Sequence, residues 1–283
     1  MEIFLDCLPC MLRQVLESTR MISASEELQQ KVIDECIEIL SNYKSYKTAP
    51  ELCRQMHRIV NKMTGVADPY RHIKETNIST ALRLYPHLKE FWSQKDNSLD
   101  MALKISATGN VLDSAINLGL DIEDCIDDEL NKAFAQCDIE QLQQKLKTAK
   151  TLLVLGDNAG ETVFDCILLE KLSDLDISYG VRSQPIINDA TSEDAYASGI
   201  GSYAKVLSTG CDAPGVILEE CSTDFIELFN DADIVISKGQ GNYEALSNSS
   251  RDIFFLLKAK CSVLSDLLTV NINDYIFKYA PSK

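Results

Sequence analysis

The stretch TLLVLGDNAGETVFD, positions 151–165, constrains the fold of this chain more than any other. Its opening, Thr151-Leu152-Leu153-Val154-Leu155, is the short apolar run of a buried strand, and Gly156 stops it. Val163, Phe164, Ile167, Leu168 and Leu172 then recur at helical spacing. A strand therefore passes to a helix through a turn that carries Asp157, Asn158 and Glu161. In an open α/β sheet ligands bind outside the carboxyl ends of the strands, so this turn is the first place to look for chemistry.

The alternation continues to the end of the chain. Residues 177–181 read as a second strand, whose continuation through Pro185-Ile186-Ile187 ends at Asn188-Asp189. Residues 205–207, 233–237 and 253–257 read as the third, fourth and fifth strands, and Lys238-Gly239-Gln240-Gly241-Asn242 breaks the fourth. Helical patterns lie between and after them, from Ser192, from Thr223 with that threonine as the cap, and over residues 261–268. Such alternation predicts an α/β fold with a mostly parallel, Rossmann-like sheet covered on both faces, a three-layer α/β/α arrangement.

Residues 1–110 carry mostly helical signals. Pro9 suits a first turn, where its missing N–H costs nothing, and further amphipathic patterns begin at Ser25 and Pro50 and surround Leu84, Leu88 and Trp92. A helical N-terminal subdomain over 1–110 and an α/β/α domain over 111–283 is the expected division. Residues 121–130 interleave acids with Ile122, Ile126 and Leu130, as a solvated helix face or an outer turn does; residues 141–150 read as polar surface chain.

Charge narrows the partners. With 43 acidic and 27 basic side chains the net charge is -16, and no basic cluster flanked by aromatics is present, which argues against nucleic acid. An anionic ligand would need local help from a cation, a metal ion or helix amides. No run of eighteen apolar residues and no N-terminal leader pattern occurs, so no membrane partner is expected. Most of the ten cysteines lie in apolar or amphipathic segments, which points to a reduced, cytoplasmic protein. Oligomeric state is not legible, because an interface cannot be told from a core face.

Three predicted strand ends supply a matched set: Asp157 and Asn158, then Asn188 and Asp189, then Lys238. Carboxylate and amide oxygens are hard ligands suited to magnesium or manganese. The lysine is the cation that a phosphate needs in an acidic protein, and Gly239 and Gly241 let backbone approach an anion. Each of these residues taken singly also reads as a cap, a turn former or a surface charge; Asp157 and Glu161 suit a helix start. Other signals are weaker. Cys7-x-x-Cys10 lacks the second pair of a structural zinc site, His57, His72 and His87 lie on separate helical segments, and neither a P-loop nor a GxGxxG is present.

Taken together these stretches resemble the metal-dependent damage-control phosphatases, a family first catalogued as a domain of unknown function, and its smaller microbial branch with an N-terminal CxxC. The resemblance rests on Asp6-Cys7-Leu8-Pro9-Cys10, Gly109-Asn110-Val111-Leu112-Asp113, the DNAGE and KGQGNYE stretches at 157–161 and 238–244, and Pro185 to Thr191, all in the family's order. One departure is Cys261-Ser262-Val263, where relatives often have Cys-Pro-Val. The resemblance implies a divalent ion (Mn, Mg, Ni or Co) held by Asp157, Asn158 and Asp189. It also implies a phosphate site with Lys238, Gly239, Glu161 and Asn188, near Asn110 and Asp113, and a small phosphate monoester as substrate, such as a sugar phosphate or a damaged phosphometabolite. An S-adenosylmethionine-dependent carboxyl methyltransferase and a non-enzymatic small-ligand binding protein are the competing readings.

Overall fold

The computed structural model describes residues 1–111 and 122–282. Five α-helices come first: α1 (Cys7–Met21), α2 (Glu26–Ser41), α3 (Ala49–Thr64), α4 (Arg71–Ser93) and α5 (Leu99–Thr108). Short polar side chains start three of them. Ser25 Oγ accepts the Leu28 N–H at 3.3 Å, Thr48 Oγ1 that of Glu51 at 3.4 Å and Ser98 Oγ that of Met101 at 3.3 Å. Gly65, at φ 71°, ends α3 in the left-handed conformation that glycine adopts without strain.

After α6 (Ile122–Leu130) the chain alternates: β1 (Phe134–Cys137), α7 (Ile139–Leu146), β2 (Thr151–Leu155), α8 (Glu161–Lys171), β3 (Asp176–Val181), α9 (Ser192–Ala197), β4 (Lys205–Ser208), α10 (Thr223–Asp231), β5 (Ile234–Lys238), α11 (Gln240–Leu246), β6 (Ile253–Lys258), α12 (Ser262–Leu268) and β7 (Tyr275–Ala280). The sheet order is β1-β7-β6-β5-β2-β3-β4. Its strands run parallel except that β7 is antiparallel to β6, and β1 follows β7. The connection order reverses between β2 and β5, so the crevice at their carboxyl ends is the topological switch point where such sheets bind ligands.

Leu152, Leu153, Val154 and Leu155 are buried on both faces of the sheet, each contributing on the order of 2 kcal/mol through burial. On one face the core joins α4, α5, α7 and α8 to the sheet; on the other it joins α10, α11 and α12. A separate core ties α1, α2 and α3 together, and α3 packs on α11. The result is an α/β fold whose N-terminal helices pack against a mostly parallel sheet. Among the described residues no helix is long and apolar enough to cross a membrane.

The structure departs from the sequence reading in four places. The cap of α10 is Ser222, whose Oγ accepts the Phe225 N–H at 3.3 Å, one residue before the expected Thr223. Residues 139–146 are helical rather than surface chain, held by Leu142, which is buried. Strands β1 and β7 add to the five expected. The fourth difference bears on function: β3 stops at Val181, and residues 182–191 leave the sheet and fold back. Asn188 and Asp189 therefore sit on a loop, where Asn158 and Asp189 pair in an isolated antiparallel bridge. Ile187 on that loop has φ 47°, a conformation that costs a β-branched residue about 1 to 3 kcal/mol, and its side chain packs against the α1–α3 core.

Candidate active site

Three segments meet at the switch point. The turn after β2 brings Asp157 and Asn158, the folded-back loop brings Asn188 and Asp189, and β5 ends on Lys238. The first two are stitched by backbone: the Ala159 N–H donates to the Asn188 carbonyl and the Ala190 N–H to the Asp157 carbonyl, each at 2.8 Å. Asp157, Asn158 and Asp189 line one cavity of about 340 Å³ whose outer wall comes from α1 and α3, including Cys7, Cys10 and Pro50. The paired carboxylates and the amide expected from sequence are thus brought together. Asp113 lies outside the described residues.

Behind this set is a buried ionic network. Lys238 Nζ donates to Asp165 Oδ1 at 2.5 Å, to the Ser106 carbonyl at 3.0 Å and to Glu161 Oε2 at 3.4 Å, which engages all three of its donors. Asp165 also accepts from Ser106 Oγ at 2.5 Å and Tyr179 Oη at 2.6 Å. Glu161 Oε1 accepts from Asn158 Nδ2 at 2.9 Å and from Asn110 Nδ2. Asn110 stands on the short turn that follows α5, so that turn and the β2–α8 connection converge on one carboxylate.

Arg182, the first residue after β3, donates Nε to Asp189 Oδ2 at 2.7 Å, while its two terminal nitrogens have no partner among the described residues. Gly239 stands against Asp157 at φ 80°, and a Cβ there would collide with the Asp157 carboxylate. Glycine at this position therefore keeps the carboxylate in its place.

The electrostatics are those of a site built for added positive charge. Burial pushes Asp157 up, with Lys260, Arg182 and Lys238 working against it. Burial likewise raises Asp189 to about 7 and Glu161 to about 8, despite Arg182 near the first and Lys238 near the second. Lys238 loses charge stability to burial but regains more from Asp165 and Glu161, so its ammonium is held above the ordinary lysine range. Four buried carboxylates (Asp157, Glu161, Asp165 and Asp189) face two buried cations, Lys238 and Arg182. With all four ionised, the deficit equals the charge of one divalent cation.

Among the described residues no group of three or more His, Cys, Asp and Glu side chains converges as a metal cluster. Asp157, Asn158 and Asp189 instead offer the cavity two carboxylates and one amide, hard oxygens of the kind that suits magnesium or manganese. The histidines play no part here: His57 is buried in α3, and His87 pairs with Asp127 at 2.8 Å. Cys7 and Cys10, free thiols in the first turn of α1, stand on the cavity wall.

Comparison with known proteins shows the family of the chain. The damage-control phosphatase ARMT1-like domain matches residues 3–276. The chain belongs to that family. A damage-control phosphatase of Pyrococcus horikoshii is 32% identical over 95% of this chain and 95% of its own length. One of Archaeoglobus fulgidus is 31% identical over 96% and 97%, and an uncharacterized protein of Methanocaldococcus jannaschii is 35% identical over 96% and 93%. The crystal structure of a DUF89 family protein of Pyrococcus horikoshii covers 100% of both chains with a TM-score of 0.89 at 31% identity.

Within this damage-control phosphatase fold, sequence reasoning passed over Asp165, Arg182, Ser106 and Tyr179. Asp165 carried a signal, since it lies four residues after Glu161 and so on the same helix face. Arg182 carried none, because its partner Asp189 is reached only by the return of the loop.

Proposed function

We propose that the chain is a divalent-metal-dependent phosphatase of small phosphate monoesters, acting in the cytoplasm, with one hard cation held by Asp157 and Asp189 carboxylates and the Asn158 amide oxygen. The observation that carries this reading is the Asp157 carboxylate, which is buried, accepts no hydrogen bond among the described residues and opens onto the cavity shared with Asn158 and Asp189. A buried carboxylate in that state calls for a cation. Relatives named damage-control phosphatases, matching along nearly the whole chain, support phosphate esters as the substrate class.

The bound ion would polarise a phosphoryl oxygen and orient the group for in-line attack. The chain's own residues do the rest. Glu161 accepts from the Asn158 amide nitrogen and so presents its oxygen as ligand. Arg182 fixes Asp189 through one oxygen and leaves the other for the site. Lys238 holds Glu161 and Asp165 and keeps positive charge beneath the reacting phosphoryl group. With Asp157 committed to the ion, water is the attacking group. In this reading the helical part, residues 1–110, walls the leaving-group side, and the α/β/α part, residues 111–283, carries the chemistry.

The experiment is a phosphate-ester screen on metal-stripped protein with manganese, magnesium, cobalt and nickel restored singly. Turnover with at least one ion and none with chelator is the expected result. Silence across the screen from folded protein would favour a small-ligand binding protein, and tight S-adenosylmethionine binding without any ion requirement would favour the methyltransferase.

A further inference from the structure

Lys238 is the lysine that the motifs bring forward, yet its three donors are engaged by Asp165, Glu161 and the Ser106 carbonyl, and it lies beneath the cavity rather than in it. To touch a substrate it would have to release one of those partners inside a buried network, at a cost that a binding step does not recover. Arg182 is buried with Nε tied to Asp189, and although its terminal nitrogens have no partner among the described residues, it does not line the cavity. The direct cationic contact to an anionic substrate has to come from elsewhere.

Lys260 meets the requirement. It follows the end of β6 by two residues and is the one Lys or Arg side chain, among the described residues, that lines the cavity holding Asp157, Asn158 and Asp189. It is exposed, and its ammonium makes no hydrogen bond or ion pair with any other described residue. After burial, its charge is the strongest influence on the Asp157 carboxylate, ahead of Arg182 and Lys238, and it also acts on Glu161 and Asp189. An unpartnered cation at the rim of an acidic cavity, in a chain of net charge -16, is the first attractive point that an incoming phosphate meets.

We propose that Lys260 is the side chain that grips the substrate's phosphate, closing on it from the solvent side while the cation site holds the opposite face. The proposal rests on the phosphatase reading above. A flexible four-carbon stem suits the task, because the ammonium must admit the ester, follow it inward and release inorganic phosphate. Its charge also repels a metal ion, which accounts for its place at the rim instead of among the ligands. The contact is a charge-assisted one, with the ammonium donating to a phosphate oxygen.

The test uses the manganese-loaded protein and the variants Lys260→Ala, Lys260→Arg and Lys260→Glu. Three quantities are read: inorganic phosphate affinity by calorimetry, KM against kcat with p-nitrophenyl phosphate, and manganese affinity without phosphate. The expected result is at least a tenfold loss of phosphate affinity and a matching rise in KM for Lys260→Ala, a larger loss for Lys260→Glu and near-complete retention for Lys260→Arg. Manganese affinity should hold or tighten, since a like charge has been removed. Unchanged phosphate affinity in Lys260→Ala and Lys260→Glu would overturn the proposal; so would a wild-type protein that binds no phosphate, or manganese affinity falling in parallel with phosphate affinity. A wild-type protein that binds phosphate but hydrolyses no ester sinks the phosphatase reading alone, while the binding ratios still decide the role of Lys260.

Discussion

The Asn158 side-chain nitrogen donates to Glu161 Oε1 over 2.9 Å, so the amide oxygen is the end of that side chain left without this carboxylate. Ionised, as a bound cation would hold it against the effect of burial, Glu161 only accepts, so the nitrogen turns toward it and the oxygen is freed. Replacing Glu161 with Gln removes that discrimination, because the new amide offers both a donor and an acceptor. Manganese affinity of Glu161→Gln should fall about 10- to 100-fold, as it does when a group that orients a metal ligand is lost. Calorimetric titration checks this, and unchanged affinity would separate Glu161 from ligand orientation.

The Lys238–Asp165 pair is buried, with both side chains about 1% exposed. Asp165→Leu leaves Lys238 with Glu161 as its remaining carboxylate and strips acceptors from Ser106 and Tyr179. A loss of about 3 kcal/mol in denaturant-derived stability is expected. Adding Lys238→Met in the same chain should recover part of it, since the uncompensated charge goes too. Additive losses in the double variant would contradict the pairing.

Gly239 offers a test that changes no charge. Its φ of 80° and the Asp157 carboxylate beside it leave no room for a Cβ. Gly239→Ala should cost about 1 to 3 kcal/mol of stability from backbone strain alone. It should also displace Asp157 and weaken manganese binding at least tenfold in protein that still folds. Circular dichroism together with metal titration separates the two effects.

Acid stability reports on a residue that does not line the cavity. Burial pushes His57 down to about 4, against about 6.5 in an unfolded chain. Above pH 6.5 both states are neutral there and the site contributes no pH dependence. As pH falls from 6.5 toward 4 the unfolded chain gains a proton that the folded one refuses, so stability drops by about 3 kcal/mol through this group. His57→Leu should lack that component, so the wild-type and variant stability curves should converge or cross between pH 7 and pH 4. Parallel curves would show that His57 protonates in the folded protein.

What the sequence made legible follows from how locally each feature is encoded. The β2 turn with Asp157 and Asn158 is read directly, because an apolar run, a glycine and a helical period lie within a few residues. β1 escaped notice since it has only four residues, alternately half-buried and exposed at the sheet edge. Asp165 drew no reading because a polar residue in an amphipathic helix ordinarily faces solvent, but α8 packs against α4, α5 and the sheet, and Glu161, Thr162 and Asp165 on it are buried. Asp189 was expected at a strand end: Pro185 and Ile187 resembled a strand, while the chain returns as a loop whose position depends on Ile187 packing against distant helices. Lys260 had no motif, and only the cavity gives it a role.

The central claim is one hard cation gripped by Asp157, Asn158 and Asp189, and manganese titration of metal-stripped wild type beside Asp157→Asn measures it most directly. One ion per wild-type chain is predicted, with binding and phosphatase turnover both abolished in the variant while the metal-free variant melts at the same temperature or higher, because a buried and unpartnered charge has been removed. Full manganese affinity and turnover in folded Asp157→Asn would contradict the account.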